Sequence, residues 1–89
     1  MILCELYDYI EIACMHHLEV LLTLKDGTEW KGVAQDTARN AKKEECIKLI
    51  LTGTGDDQLV VLDDLLIMES IIKNPHFRRV DFPSGATDF

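Results

Sequence analysis

The stretch Leu18-Glu19-Val20-Leu21-Leu22-Thr23-Leu24-Lys25, followed by Asp26-Gly27, decides the fold. Leu18, Val20, Leu22 and Leu24 occupy every second position, the period of a strand with one buried face. Asp26-Gly27 is a strong hairpin turn. A two-residue loop sets Leu24 opposite Glu29 and Leu22 opposite Lys31, apolar side chains against charges. One extra residue, as in a type I turn with a bulge at Gly27, instead predicts the pairs Leu24 with Trp30, Leu22 with Gly32 and Val20 with Ala34. The apolar faces then agree.

Downstream, the polar stretch from Asp36 to Glu45 reads as a loop or a frayed helical turn. Cys46 to Thr52 and Gln58 to Leu62, joined by Gly53-Thr54-Gly55-Asp56-Asp57, form a second hairpin. Asp63-Asp64 makes a tight corner before a strand from Leu66 to Ile72, and Phe77 to Phe82 adds a short final strand after the Asn74-Pro75 break. The tail over 83–89 is expected to fray.

Upstream, Leu3, Leu6, Ile10, Cys14 and His17, with Ala13 beside them, fall on one side of a helix projected at about 100° per residue. This stripe predicts a helix over about 4–16 that docks on the strands. The opposite side carries Glu5, Asp8, Glu11, Ile12 and Met15. Charged outer faces are ordinary, and acids near a helix N-terminus suit its dipole, so the carboxylates alone also fit a solvated surface. Ile12 and Met15, bare apolar side chains among acids, tilt the reading toward a contact surface. The expected architecture is mainly β with one N-terminal α-helix: a single domain over 1–89, with a small Sm-like or SH3-like bent five-stranded antiparallel barrel over about 18–82.

Length and charge narrow the functions open to such a domain. At 89 residues, with 47% hydrophobic and 28% charged side chains, the chain has room for one core. No apolar run approaches the roughly 18 to 20 residues that span a bilayer, and no basic flank precedes the first apolar residues, so a cytoplasmic protein without a membrane partner is expected. Cys4, Cys14 and Cys46 are an odd set without a C-x-x-C pair, expected as reduced thiols. The net charge of −7 is uneven: residues 1–24 hold Glu5, Asp8, Glu11 and Glu19 with no Lys or Arg, whereas 25–48 are nearly balanced. Nucleic-acid affinity comes from neutralising phosphates with Lys and Arg, so direct nucleic-acid binding is not expected and a basic partner is.

Catalytic readings find little support. Cys14-Met15-His16-His17 contains zinc-type and nucleophile-type residues, but the helical projection sends His16 to the acidic side and His17 to the buried side, so four ligands do not converge. Asp56-Asp57 and Asp63-Asp64 lack the alternating ligands and glycine of a calcium loop and are better read as turn residues. There is no Gly-rich phosphate loop and no G-x-S-x-G elbow. The expectation is a non-enzyme with no cofactor and no metal.

The run from Cys4 to Leu18, with its Cys-acid-x-Tyr-Asp-x-x-Glu and Ala-Cys-x-His-His-Leu elements, continuing to Lys25-Asp26-Gly27, resembles the Rho-binding antiterminator (Rof) family. The likeness is specific over residues 4–27 and loose from 28 to about 82. It implies an Sm-like barrel behind a helix, and a non-catalytic inhibitor that occupies the N-terminal RNA-binding region of the hexameric terminator Rho, blocking RNA loading. Carried to this chain, it implies Glu5, Asp8 and Glu11 as acidic contacts and Tyr7 as an aromatic anchor, beside Ile12 and Met15 from the helical pattern. Ile12 and Met15 stand at variable positions of the family pattern, and the later hairpin has a two-glycine turn, Gly53 and Gly55, so contacts from Asp56, Asp57 and Asp64 are not carried over. A competing reading is an RNA-binding Sm-like protein, because Val20-x-Leu22-x-Leu24-Lys25-Asp26-Gly27 with Trp30, Gly32, Asp36 and Asn40 also resembles the first Sm motif. Against it, Val61-Leu62-Asp63-Asp64 puts acid where such proteins carry an RNA-reading Arg-Gly step.

Overall fold

The protein is described here by a computed structural model, which describes residues 4–82, with side chains from Leu6 onward. The expectations for Leu3, for the Glu5 side chain and for a frayed tail over 83–89 lie outside the described residues. Helix α1 spans Cys4–Met15 and is followed by strands β1 (Glu19–Leu24), β2 (Glu29–Arg39), β3 (Glu45–Leu51), β4 (Asp57–Val61), β5 (Leu65–Ser70) and β6 (Arg79–Asp81), with a 3-10 turn at Leu62–Asp64 before β5. All described strand pairs are antiparallel and run in the order β4-β3-β2-β1-β5-β6. The mainly β reading with one N-terminal helix therefore stands. The bent five-stranded barrel is realised as six antiparallel strands in a sheet that is not closed, because the short last segment pairs with β5 while β4 and β6 stay at opposite ends.

The sheet nevertheless curls around one core. Val60 of β4 and Val80 of β6, from its two ends, share a cluster with Val20 and Leu22 of the central β1, with Leu49 of β3 and with Met68 of β5. Fully burying such a side chain contributes about 1.5 to 3 kcal/mol, so one shared cluster favours curling over a flat sheet. Strand β2 makes the bend. It pairs with β1 over Glu29 to Val33 and with β3 from Gly32 to Arg39, and its register slips between Ala34 and Asp36. Such a bulge bends the strand that carries it.

The first hairpin shows how turn chemistry sets register. Gly27 has φ +91°, the left-handed conformation expected of it, and Asp26 Oδ1 accepts a 2.9 Å hydrogen bond from the Thr28 amide. The expected pairing is off by two residues, however: Leu22 faces Trp30, Val20 faces Gly32, and the Leu24 amide donates to the Thr28 carbonyl at 2.8 Å. A left-handed glycine closes a three-residue loop, so the extra residue is Lys25 on the incoming side and not Thr28 on the outgoing one. A slip of two keeps every side chain on its own face, which is why the apolar pattern was satisfied by either register.

The segment expected as a loop over 36–45 is half strand. Residues 36–39 continue β2, with Asp36 opposite Lys48 and Arg39 opposite Glu45, and opposite charges at facing positions support the pairing. The apolar partner strand, with Cys46 and Ile47 fully buried, recruits a polar segment that local preference alone would not make extended. Only residues 40–44 remain as the turn, which Asn40 organises by accepting hydrogen bonds from the Lys42 and Glu44 amides at 2.9 and 3.0 Å. The Asp63-Asp64 corner is the 3-10 turn, and the Asp64 carbonyl accepts from the Lys25 amide at 2.9 Å, tying the corner to the first hairpin.

Helix α1 lies against β2. Ile10 and Ala13 are fully buried and Cys14 nearly so, while Leu6, Tyr7 and Tyr9 pack partly buried at the margin. The helix ends in a Schellman motif: the His17 amide donates to the Cys14 carbonyl at 3.2 Å and the Leu18 amide to the Ala13 carbonyl at 2.9 Å, with His17 left-handed at φ +49°.

Gly32 tests the close approach of β2 and β3. A Cβ there would lie 2.5 Å from the Ile50 carbonyl oxygen, a backbone atom that cannot swing away, whereas one on Gly27 meets open space. Gly32→Ala is expected to cost roughly 2 to 3 kcal/mol through overpacking, against about 1 to 2 kcal/mol of backbone strain for Gly27→Ala, as read by urea denaturation of the two variants.

Candidate functional site

The site is built on the side of α1 that the sheet leaves uncovered. Positions 8, 11, 12 and 15 are spaced three and four apart and so form one patch. Asp8 and Glu11 are exposed, Met15 is 70% exposed, and Ile12 is half-buried. The structure thus brings together four of the six residues named from the sequence. Tyr7 stands apart: it is half-buried against the core and lines a cleft with Arg39, Lys43, Glu44, Glu45, Leu62 and Asp63. Glu5 belongs to the helix, and its side chain lies outside the described residues.

Electrostatics make this face acidic without internal neutralisation. Among the described residues neither Asp8 nor Glu11 makes an ion pair, whereas Asp57 pairs with Lys48 at 3.5 Å and Asp81 with Arg79 at 2.8 Å. Beside α1, a shallow depression is lined by Glu11, Met15 and His17 from the helix side and by Gln35, Asp36 and Thr37 from β2. Asp36 is therefore a further carboxylate at the margin of the face. Its position follows from the bulge and the long β2, and no local pattern in the sequence signals it.

The two histidines have separate structural work. His17 does not join the buried stripe as expected: its ring is exposed, and Nδ1 lies 3.2 Å from the Ala34 carbonyl oxygen, to which it donates as the Nδ1–H tautomer. The reason is the helix end, where the left-handed turn at His17 swings its side chain out of the helical projection. His16 stacks on His76, with ring centroids 4.2 Å apart and 19° between planes. Among the described residues no three His, Cys, Asp or Glu side chains gather as a metal site, and no helix is long and apolar enough to cross a membrane.

The thiol of Cys14 is poorly suited to nucleophilic chemistry. Burial first, then the negative charges of Asp36 and Glu11, push it from the ordinary 9.0 up to about 11, and burial also raises Cys46. Because the folded state holds the Cys14 proton after the unfolded state has released it, its contribution to stability is complete below pH 9 and is lost as pH rises toward about 11. Cys14→Ala is expected to flatten that part of the alkaline loss, read by urea midpoints at pH 8.5 and 10.5. In the native protein Cys14 should react with iodoacetamide at pH 8 at least about tenfold more slowly than in urea, as its thiolate fraction falls with the raised pKa.

Three comparisons with known proteins bear on this geometry. A solved structure described as YaeO bound to magnesium, from Vibrio cholerae O395, is 45% identical and superposes with a TM-score of 0.81, covering 86% of this chain and 97% of that one. Protein rof of Escherichia coli (strain K12) is 34% identical over 62 residues, 70% of each chain, and Protein rof of Shigella flexneri matches to the same extent. Residues 1–82 match the family described as "Modulator of Rho-dependent transcription termination (ROF)". With the family matched over residues 1–82, relatives 34% identical across 70% of each chain, and a shared fold with the Vibrio cholerae structure, the chain belongs to the ROF family of modulators of Rho-dependent transcription termination.

Proposed function

We propose that this modulator acts by direct binding: the outer face of α1 seats on the N-terminal RNA-binding region of Rho and blocks RNA loading there. Asp8 and Glu11 are the central acidic contacts, Glu5 adds a third carboxylate one turn earlier, Ile12 and Met15 supply apolar contact, and Tyr7 anchors one border. The observation that carries the reading is the unneutralised face itself. Asp8 and Glu11 stand exposed around a 70% exposed Met15, on a helix whose other side is buried.

The physical logic is competition for a basic surface. A region that binds RNA gathers positive charge to neutralise phosphates, and an acidic protein face is attracted to the same field. Residues 1–24 contain four carboxylates and no Lys or Arg, so nothing on this segment opposes the approach. Occupancy suffices for inhibition. The reading involves no bond-making, no cofactor and no direct contact of this protein with nucleic acid, and it places the protein in the cytoplasm.

Asp8→Lys combined with Glu11→Lys changes the charge of residues 1–24 from −4 to zero while leaving the buried stripe intact. The double variant is expected to weaken inhibition of RNA binding by purified Rho at least about tenfold, since like charges facing each other across an interface cost several kcal/mol. Inhibition at the wild-type concentration, with an unchanged circular dichroism spectrum, would overturn the helix-face reading. Binding of the wild-type protein to Rho is expected to weaken progressively between about 50 and 300 mM salt. A gel shift with single-stranded RNA at low salt should show no submicromolar complex of this protein alone. Such a complex would favour the Sm-like RNA-binding reading instead.

A further inference from the structure

Apolar packing of Ile10, Ala13 and Cys14 against β2 decides which side of α1 is hidden, but it is non-directional and sets the rotation about the helix axis only coarsely. What refines the rotation is a second set of contacts along one flank. Tyr9 meets Phe77 edge to face, with centroids 5.9 Å apart and planes at 77°, and His16 stacks on His76 at 4.2 Å. Tyr9 and His16 are seven residues apart, close to two full turns, so both project from the same flank, separated by roughly 10 Å along the axis.

The partners arrive together. Phe77 and His76 are neighbours in the turn between β5 and β6, which Asn74 holds rigid. Asn74 Oδ1 accepts from the His76 and Phe77 amides at 2.8 and 3.2 Å, while Nδ2 donates to Ser70 Oγ at 2.7 Å and to the Ile72 carbonyl at 3.1 Å. The Ser70 amide in turn donates to the Arg78 carbonyl at 2.9 Å, closing the base of the turn on the end of β5. Two rings are thus presented from a braced turn to one ring on the helix, Tyr9, and one at its C-terminal cap, His16.

We infer that the 74–77 turn is a positioning clamp for the partner-binding face of α1, with His76 and Phe77 as positioning residues that act through His16 and Tyr9. The inference rests on the proposed helix-face reading. One contact would locate the helix; two contacts two turns apart also fix its rotation, and rotation decides where Asp8, Glu11 and Met15 point. The flank carrying Tyr9 and His16 lies to one side of those three residues, so the clamp sets the face without standing in its way.

His16 and His76 are both exposed, so alanine at either removes the stack without opening a cavity in the core. His76→Ala is expected to speed hydrogen exchange of the α1 amides in the free protein about 3- to 10-fold, the scale of one exposed aromatic contact, and to weaken inhibition of Rho by a similar factor. His76→Phe, which keeps a flat ring, should restore both. His16→Ala and the His16→Ala/His76→Ala double variant should match His76→Ala, because the two rings act as one contact. Gly27→Ala, in a turn away from the helix, serves as the control for stability: measured well below its melting temperature, it should inhibit like wild type. Wild-type inhibition by His76→Ala, when Asp8→Lys/Glu11→Lys has lost inhibition, overturns the clamp alone, as does unchanged exchange of α1. Wild-type inhibition by the charge-reversed variant overturns the helix-face reading instead.

Discussion

The seating of Ile10, Ala13 and Cys14 on β2 is the contact on which the rest of this molecule depends. A sheet of short strands has too little surface to bury alone, and a single helix of twelve residues is marginal in water. Each makes the other stable. The seating also sorts the helix into a hidden side and a displayed one, so the same twelve residues contribute to the core and present carboxylates to solvent. The Schellman motif at His17 then turns the chain directly into β1, the one strand hydrogen-bonded to both β2 and β5.

Much of this was legible in the residues. Leu18, Val20, Leu22 and Leu24 announced β1, and Leu6, Ile10 and Cys14 announced the buried side of α1, because both patterns report burial and burial is what the periodicity of apolar residues encodes. Register was less legible. Apolar alternation distinguishes odd slips from even ones only, so the choice between Trp30 opposite Leu24 and Trp30 opposite Leu22 falls to the backbone of Gly27. The extension of β2 through Arg39 was hidden for a different reason: Asp36 to Arg39 are extended because Cys46 and Ile47, in the next strand, pair directly with Ala38 and Thr37, not because of their own preferences.

The candidate face divides along the same line. Asp8, Glu11, Ile12 and Met15 could be read from helical spacing, which is local. Asp36 and the aromatic contacts of His76 and Phe77 could not, since they reach α1 through the bulge in β2 and through the turn after β5. His17 shows the limit of a projection: it assumes the helix continues, and at a left-handed residue the helix has already ended. The Cys-x-His-His-Leu run thereby resolves into one thiol under the helix, one ring stacked on a neighbouring turn, and one ring hydrogen-bonded to the strand below.

The open order of the sheet has a consequence for how copies of this protein meet. An open sheet has two free edges, and a free edge is a template on which another chain can add a strand. Here one edge, β6, is only three residues long and carries the Arg79–Asp81 ion pair on its own two end residues, and the other, β4, begins at Asp57 beside the two-glycine turn. Edges this short and this charged give little purchase to a second sheet. Association between copies by strand addition at the seams is thereby disfavoured, and the backbone of the sheet stays paired within one molecule.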